Sequence, residues 1–152
     1  MNIRPLQESD VSQVEAIFDM YWHDSFRQSL ADKIQLHFGG QDFKFFVAVE
    51  DEEVIGVAGI RKAPERMMHF AKTTNPAEFY MMAVKERGKG VGKQMAIHIL
   101  EELKSSGYTE ALFFSGESHK ETWAFYDKYA ERVGEDVAPN GERGFVWRKE
   151  II

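Results

Sequence analysis

The apolar residues of 91–103, Val91, Met95, Ala96, Ile99, Leu100 and Leu103, recur at helical spacing, with Glu101, Glu102 and Lys104 on the other side. This pattern predicts an amphipathic helix that stops at Ser105-Ser106-Gly107. Before it, AEFYMMAV (77–84) is a nearly continuous apolar run, the pattern of a strand buried on both faces, and ALFF (111–114) reads as another behind it. The three segments make a β-α-β unit. Upstream, FKFFVAVE and EVIGVAGIRK flank the acidic tip EDEE (50–53) and predict an antiparallel hairpin. MNIRPL reads as a short first strand, ESD as a helix cap and VSQVEAIFDMYW as an amphipathic helix. A second helix is predicted from Asp24 to His37, ended by Gly39-Gly40. The segment APERMMHFAKTTNPAE (63–78) exceeds a simple hairpin loop and serves either as a substrate lid or as a packed excursion. SHKETWAFYDKYA (118–130) predicts an aromatic amphipathic helix, and GERGFVWRKEII a last strand behind a turn.

Between the buried strand and its helix stands RGKGVGK (87–93), three glycines in five positions with three cations among and beside them. Glycine is costly in a helix and useful where backbone must approach a ligand closely. A P-loop, G-x-x-x-x-G-K-S/T, fails on spacing: five residues before Gly92 stands Arg87, and Gln94 holds the place of the metal-binding hydroxyl. A dinucleotide fingerprint, G-x-G-x-x-G, fails because Lys93 follows Gly88 and Gly90 where the third glycine belongs. A helix N-terminus nevertheless offers unpaired N–H groups and the positive end of a dipole, so this turn is suited to an anion such as phosphate.

MMAVKERGKGVGKQM resembles the acyl-CoA signature of the GNAT superfamily of N-acetyltransferases, Q/R-x-x-G-x-G/A, with Arg87, Gly90 and Gly92 at its fixed positions. Val84 stands where many members carry proline. The order of elements resembles that fold over essentially the whole chain. The resemblance implies an α/β (α+β) fold: a mixed, mostly antiparallel twisted sheet of about six to seven strands, flanked by about four helices and splayed at its two central parallel strands. It also implies one domain over 1–152. Carried over to this sequence, it implies that the main chain of Met82 and Val84 holds the pantetheine of acetyl-CoA. Arg87, Gly88, Lys89, Gly90, Val91, Gly92 and Lys93 would hold the pyrophosphate. The helix at 118–130 resembles a second family pattern, N-x-x-A-x-x-F/L-Y, which puts His119 in the cofactor-contacting asparagine slot and Tyr126 beside the thioester sulfur.

Composition narrows the partners. The chain has 152 residues, 25 acidic against 19 basic, and a net charge of -6, with no basic run to follow a nucleic-acid backbone. Nothing approaches the roughly 20 apolar residues of a membrane span, and MNIRPLQESD is too polar for a signal segment, so a cytoplasmic protein is expected. Cysteine is absent, which removes a thioester on the enzyme and leaves direct transfer in a ternary complex as the economical route. No metal is called for.

A primary amine of pKa near 10.4 pays about 4–5 kcal/mol to lose its proton at neutral pH unless a base takes it. Glu78, at the start of the signature strand, is the first candidate base, directly or through water. Tyr80 and His119 follow, and His69 if its loop folds over the cleft. Tyr126 is the candidate acid for the departing thiolate. The acceptor is a small-molecule amine or a peptide or protein amine, and the acidic charge tilts toward small cationic amines. A GNAT-like domain that binds acyl-CoA as a sensor or scaffold without turnover is the alternative. Monomer and homodimer are both open.

Overall fold

The computed structural model describes residues 1–22, 25–40 and 42–151. Seven strands form one mixed sheet in the order β1-β2-β3-β4-β5-β7-β6. They are β1 (Asn2–Pro5), β2 (Phe43–Glu50), β3 (Glu53–Lys62), β4 (Pro76–Val84), β5 (Glu110–Gly116), β6 (Glu131–Val137) and β7 (Arg143–Glu150). The α-helices are α1 (Val11–Asp19), α2 (Ser25–Phe38), α3 (Val91–Ser105) and α4 (Trp123–Tyr129), joined by short 3-10 segments. The start predicted for the second helix, Asp24, lies outside the described residues. By chain contacts the molecule divides into two compact units, 1–61 with 81–101 and 62–80 with 102–152. Among the described residues no helix is long and apolar enough to cross a membrane.

In the first unit, β1 pairs antiparallel with β2, and β2 with β3. The hairpin occupies the residues its alternation predicts. Its tip, Asp51-Glu52, has positive φ at both residues, the conformation that lets two residues reverse a right-twisted ribbon. Val91, Met95 and Ile99 are buried four residues apart along one face of α3. Gly56 on β3 makes room for them: a Cβ there would come 2.8 Å from Met95 Sδ and 3.0 Å from Val91 Cγ1.

In the second unit, α3 ends where Gly107 takes positive φ, with Tyr108 N–H bonded to Leu103 O and Gly107 N–H to Lys104 O. The chain then enters β5, which pairs in parallel with β4 from Pro76–Glu110 to Phe79–Phe113, and antiparallel with β7. Segment 63–78 is a packed excursion: Met67 is fully buried with Ala63, Leu112 and Val146. The predicted helix over 118–130 is broken, because His119 (φ −124°, ψ 38°) leaves helical geometry inside a 3-10 segment, and α4 begins only at Trp123.

Glu110 opens β5 as a fully buried carboxylate. It accepts the Lys72 and Thr73 amides at 2.9 Å each and the Thr73 hydroxyl at 2.9 Å, and pairs with the buried Arg148. Desolvation pushes its pKa up, but these hydrogen bonds and the guanidinium together hold it below the ordinary carboxylate value. Removing one partner of a buried pair strands the other, so Glu110→Gln should cost about 3 kcal/mol in urea unfolding at neutral pH. A depressed folded-state pKa contributes stability above the unfolded value of 4.5 and loses it as pH falls through the folded value. The gap between wild type and variant should therefore close in acid.

Candidate active site

The site begins with a kink. Met81 lies inside β4 at φ 59°, in the left-handed region that costs a non-glycine residue about 1–2 kcal/mol. Past the kink, Lys85 N–H bonds to Ile55 O of β3 at 2.8 Å. Among the described residues no peptide is cis, so the Val84 carbonyl, on the opposite side of that same peptide, points away from β3. By strand alternation Met82 turns its main-chain groups to the same side. Both residues singled out for pantetheine thus share one orientation.

The loop follows directly. Lys85 through Gly90 are exposed, and Gly88 and Gly90 take φ 82° and 77°. Apart from its chain neighbours, no atom of the described residues lies within 4 Å of a Cβ built on either glycine, so each presents bare backbone to open space. Gly90 accepts Gln94 N–H at 3.1 Å as the first carbonyl of α3. The next amides, at Val91, Gly92 and Lys93, stand in the first turn, where a helix has no carbonyls of its own to offer. Buried Val91 anchors this turn, and exposed Lys89 and Lys93 leave positive charge around it. Lys85 is paired with Glu53, and Lys89 lies 3.7 Å from Glu86. Arg87 sets its guanidinium over the Tyr21 ring at 5.1 Å.

The remaining candidates belong to the second unit. Glu78 pairs with Leu112 across β4 and β5 and is 1% exposed, so it is no solvated strand-end carboxylate. Its neighbour Phe79 lies against Phe113 with ring centroids 5.1 Å apart, and Phe113 against Tyr126 at 5.6 Å. Tyr126 also meets Trp147 at 5.2 Å, and its hydroxyl makes no hydrogen bond among the described residues. Burial pushes its phenol up to about 12. His119 lies in the turn before α4. There its carbonyl accepts the Thr122 hydroxyl at 2.8 Å, and its ring lies 3.8 Å from Glu121. Tyr80 is half-buried at the end of the first part of β4, and His69 is exposed and stacked on Phe70 at 3.9 Å. Among the described residues no group of His, Cys, Asp and Glu is arranged to hold a metal.

Two residues escaped the sequence reading. Gly56 carried no motif, and its need for small size comes from α3 lying against it. Tyr21 donates its hydroxyl to the Val84 carbonyl at 2.6 Å, a partner 63 positions away. The only trace of it in the sequence is the aromatic pair at the end of VSQVEAIFDMYW.

Comparison with solved structures supports the same fold. A GNAT-family protein from Desulfovibrio desulfuricans superposes with a TM-score of 0.80 at 18% identity, covering 99% of both chains. The PaiA N-acetyltransferase from Thermoplasma acidophilum, in complex with coenzyme A, gives 0.66 at 17% identity over 98% of each. The aminoglycoside 6′-N-acetyltransferase from Enterococcus faecium gives 0.74 at 15% identity, over 100% of this chain and 98% of its own. Comparison with curated proteins finds no match. The profile described as the Acetyltransferase (GNAT) family matches residues 11–130, which include the kinked strand, the glycine loop and α3. By that match this chain belongs to the GNAT acetyltransferase family.

Proposed function

We propose that the protein transfers an acetyl group from acetyl-CoA to a primary amine, directly, within a ternary complex. The observation that carries this reading is the loop Arg87–Lys93. Two positive-φ glycines open onto free space at the N-terminus of a 15-residue helix, directly behind a strand whose Val84 carbonyl faces away from its neighbour. The amides of Gly88 through Lys93 suit a pyrophosphate, with Arg87, Lys89 and Lys93 supplying charge. Met82 and Val84 offer main-chain hydrogen bonds to an extended amide chain such as pantetheine, as a neighbouring strand would.

Acyl transfer then needs three proton movements, two off the acceptor nitrogen and one onto the leaving sulfur. A base takes the proton from the ammonium form of the acceptor, freeing the lone pair that attacks the thioester carbon; Glu78 fills that role, directly or through water. As the carbon–sulfur bond breaks, the thiolate takes a proton, for which Tyr126 is the donor, and the second nitrogen proton, shed as the amide forms, restores the phenol. Small-molecule amines are the favoured acceptors, because a structural neighbour acts on aminoglycosides and the chain is acidic overall. The second reading, an acyl-CoA sensor without turnover, shares the loop and lacks the chemistry.

Acetyl-CoA at a hundredfold excess over its dissociation constant should stabilise the fold by about 2.7 kcal/mol. ATP and NAD should do less. No shift in melting temperature at millimolar acetyl-CoA sinks the cofactor assignment. With an amine panel added, release of free CoA thiol separates the enzyme from the sensor, which releases none.

A further inference from the structure

Tyr21 touches two parts of the proposed cofactor site at once. Beyond the last residue of α1 the chain keeps its helical bonds for one more turn. Met20 N–H reaches Ile17 O at 3.1 Å, and the amides of Tyr21 and Trp22 reach Phe18 O at 3.0 and 2.9 Å. Trp22 packs edge-on against buried Phe18 at 5.2 Å and against Tyr21 at 5.9 Å, which fixes where the Tyr21 ring stands. From there its hydroxyl donates to Val84 O at 2.6 Å, and its face carries the Arg87 guanidinium at 5.1 Å. Val84 O is the carbonyl that points away from β3, and Arg87 is the residue that opens the glycine loop.

We propose that Tyr21 is a further residue of the cofactor site and that its hydroxyl competes with the pantetheine amide for the Val84 carbonyl, so that Tyr21 sets the affinity for acyl-CoA. The inference rests on the acyl-CoA reading. An extended chain running along β4 needs this carbonyl as its acceptor, and a carbonyl of a strand edge offers one outward direction for a ladder bond. The Tyr21 phenol already occupies this acceptor, at 2.6 Å. Acyl-CoA must therefore exchange one hydrogen bond for another, and the net gain from the pantetheine amide is small while Tyr21 keeps its hydroxyl.

Tyr21→Phe deletes the competitor and keeps the ring on Arg87 and Trp22. Its dissociation constant for acetyl-CoA, by calorimetry, should be roughly three- to tenfold lower than that of the wild type, the size of one hydrogen bond in water. The KM for acetyl-CoA should fall with it. With 3′-phosphoadenosine 5′-diphosphate, which carries the pyrophosphate and no pantetheine, the two chains should bind equally. Weaker or equal binding of acetyl-CoA by the variant overturns the proposal, as does an equal gain on both ligands, which would mark a general structural effect. If the wild type binds neither ligand, the acyl-CoA reading itself fails, and the competition proposal with it.

Discussion

Gly92→Val and Gly90→Val are expected to lose acetyl-CoA binding by at least a hundredfold while the fold stays largely formed. The loss follows from what the backbone does in the proposed site. If the pyrophosphate takes two or three charge-assisted hydrogen bonds from loop amides, at about 1.5–3 kcal/mol each, a side chain that holds the phosphate off costs more than a factor of a hundred. The two variants separate the causes. Gly90 sits at φ 77°, so valine there adds backbone strain to the steric block; apart from its chain neighbours, nothing among the described residues lies within 4 Å of the new Cβ, so no clash with them is added. Gly92 lies within α3, where valine is a slightly better helix residue than glycine. Its stability should hold, and its lost affinity should report the phosphate contact alone. Arg87→Ala should cost less than either, since its guanidinium is one charge beside a set of amides. Calorimetric titration with acetyl-CoA, with melting temperature alongside, checks all three. Normal binding by the glycine variants would move the pyrophosphate elsewhere.

The parts of this site that rest on local pattern were legible in the sequence. β4, the glycine loop and α3 follow from an uninterrupted apolar run, three glycines and a four-residue apolar repeat, each a signal contained within a few turns of chain. β6 was not legible. Glu131, Arg132, Glu135 and Val137 are exposed, so no buried stripe marks it, and it exists because it pairs with β7 at the edge of the sheet. The 118–130 helix was over-read for a related reason. Its aromatics fit helical spacing throughout, but Glu142 binds the Ser118 amide at 2.8 Å and helps hold the preceding turn in another geometry. Glu110 and Tyr21 show the harder limit. Each is an unremarked residue in its own segment, and each acquires its role from a partner far along the chain, Arg148 at 38 positions and Val84 at 63.

Tyr126→Phe should lower kcat by about tenfold to a hundredfold, with the affinity for acetyl-CoA nearly unchanged. The substitution keeps the aromatic body that packs against Phe113 and Trp147, so the melting temperature should hold. It removes a hydroxyl that no protein group engages among the described residues. The size of the effect can be bounded from acidities. The phenol stands at about 12, and the departing thiol near 8.5. Complete proton transfer is therefore uphill, and the leaving thiolate is tolerable without help. The hydroxyl contributes chiefly by donating to sulfur as charge develops there, which favours the lower part of that range. Because the phenol's pKa is raised, its protonated form persists to pH values well above 9, and the ratio of wild-type to variant kcat should stay flat from pH 6 to 9. A ratio that changes with pH would assign the titrating group to another residue. An unchanged kcat in a less stable variant would make Tyr126 a packing residue and leave solvent as the proton source.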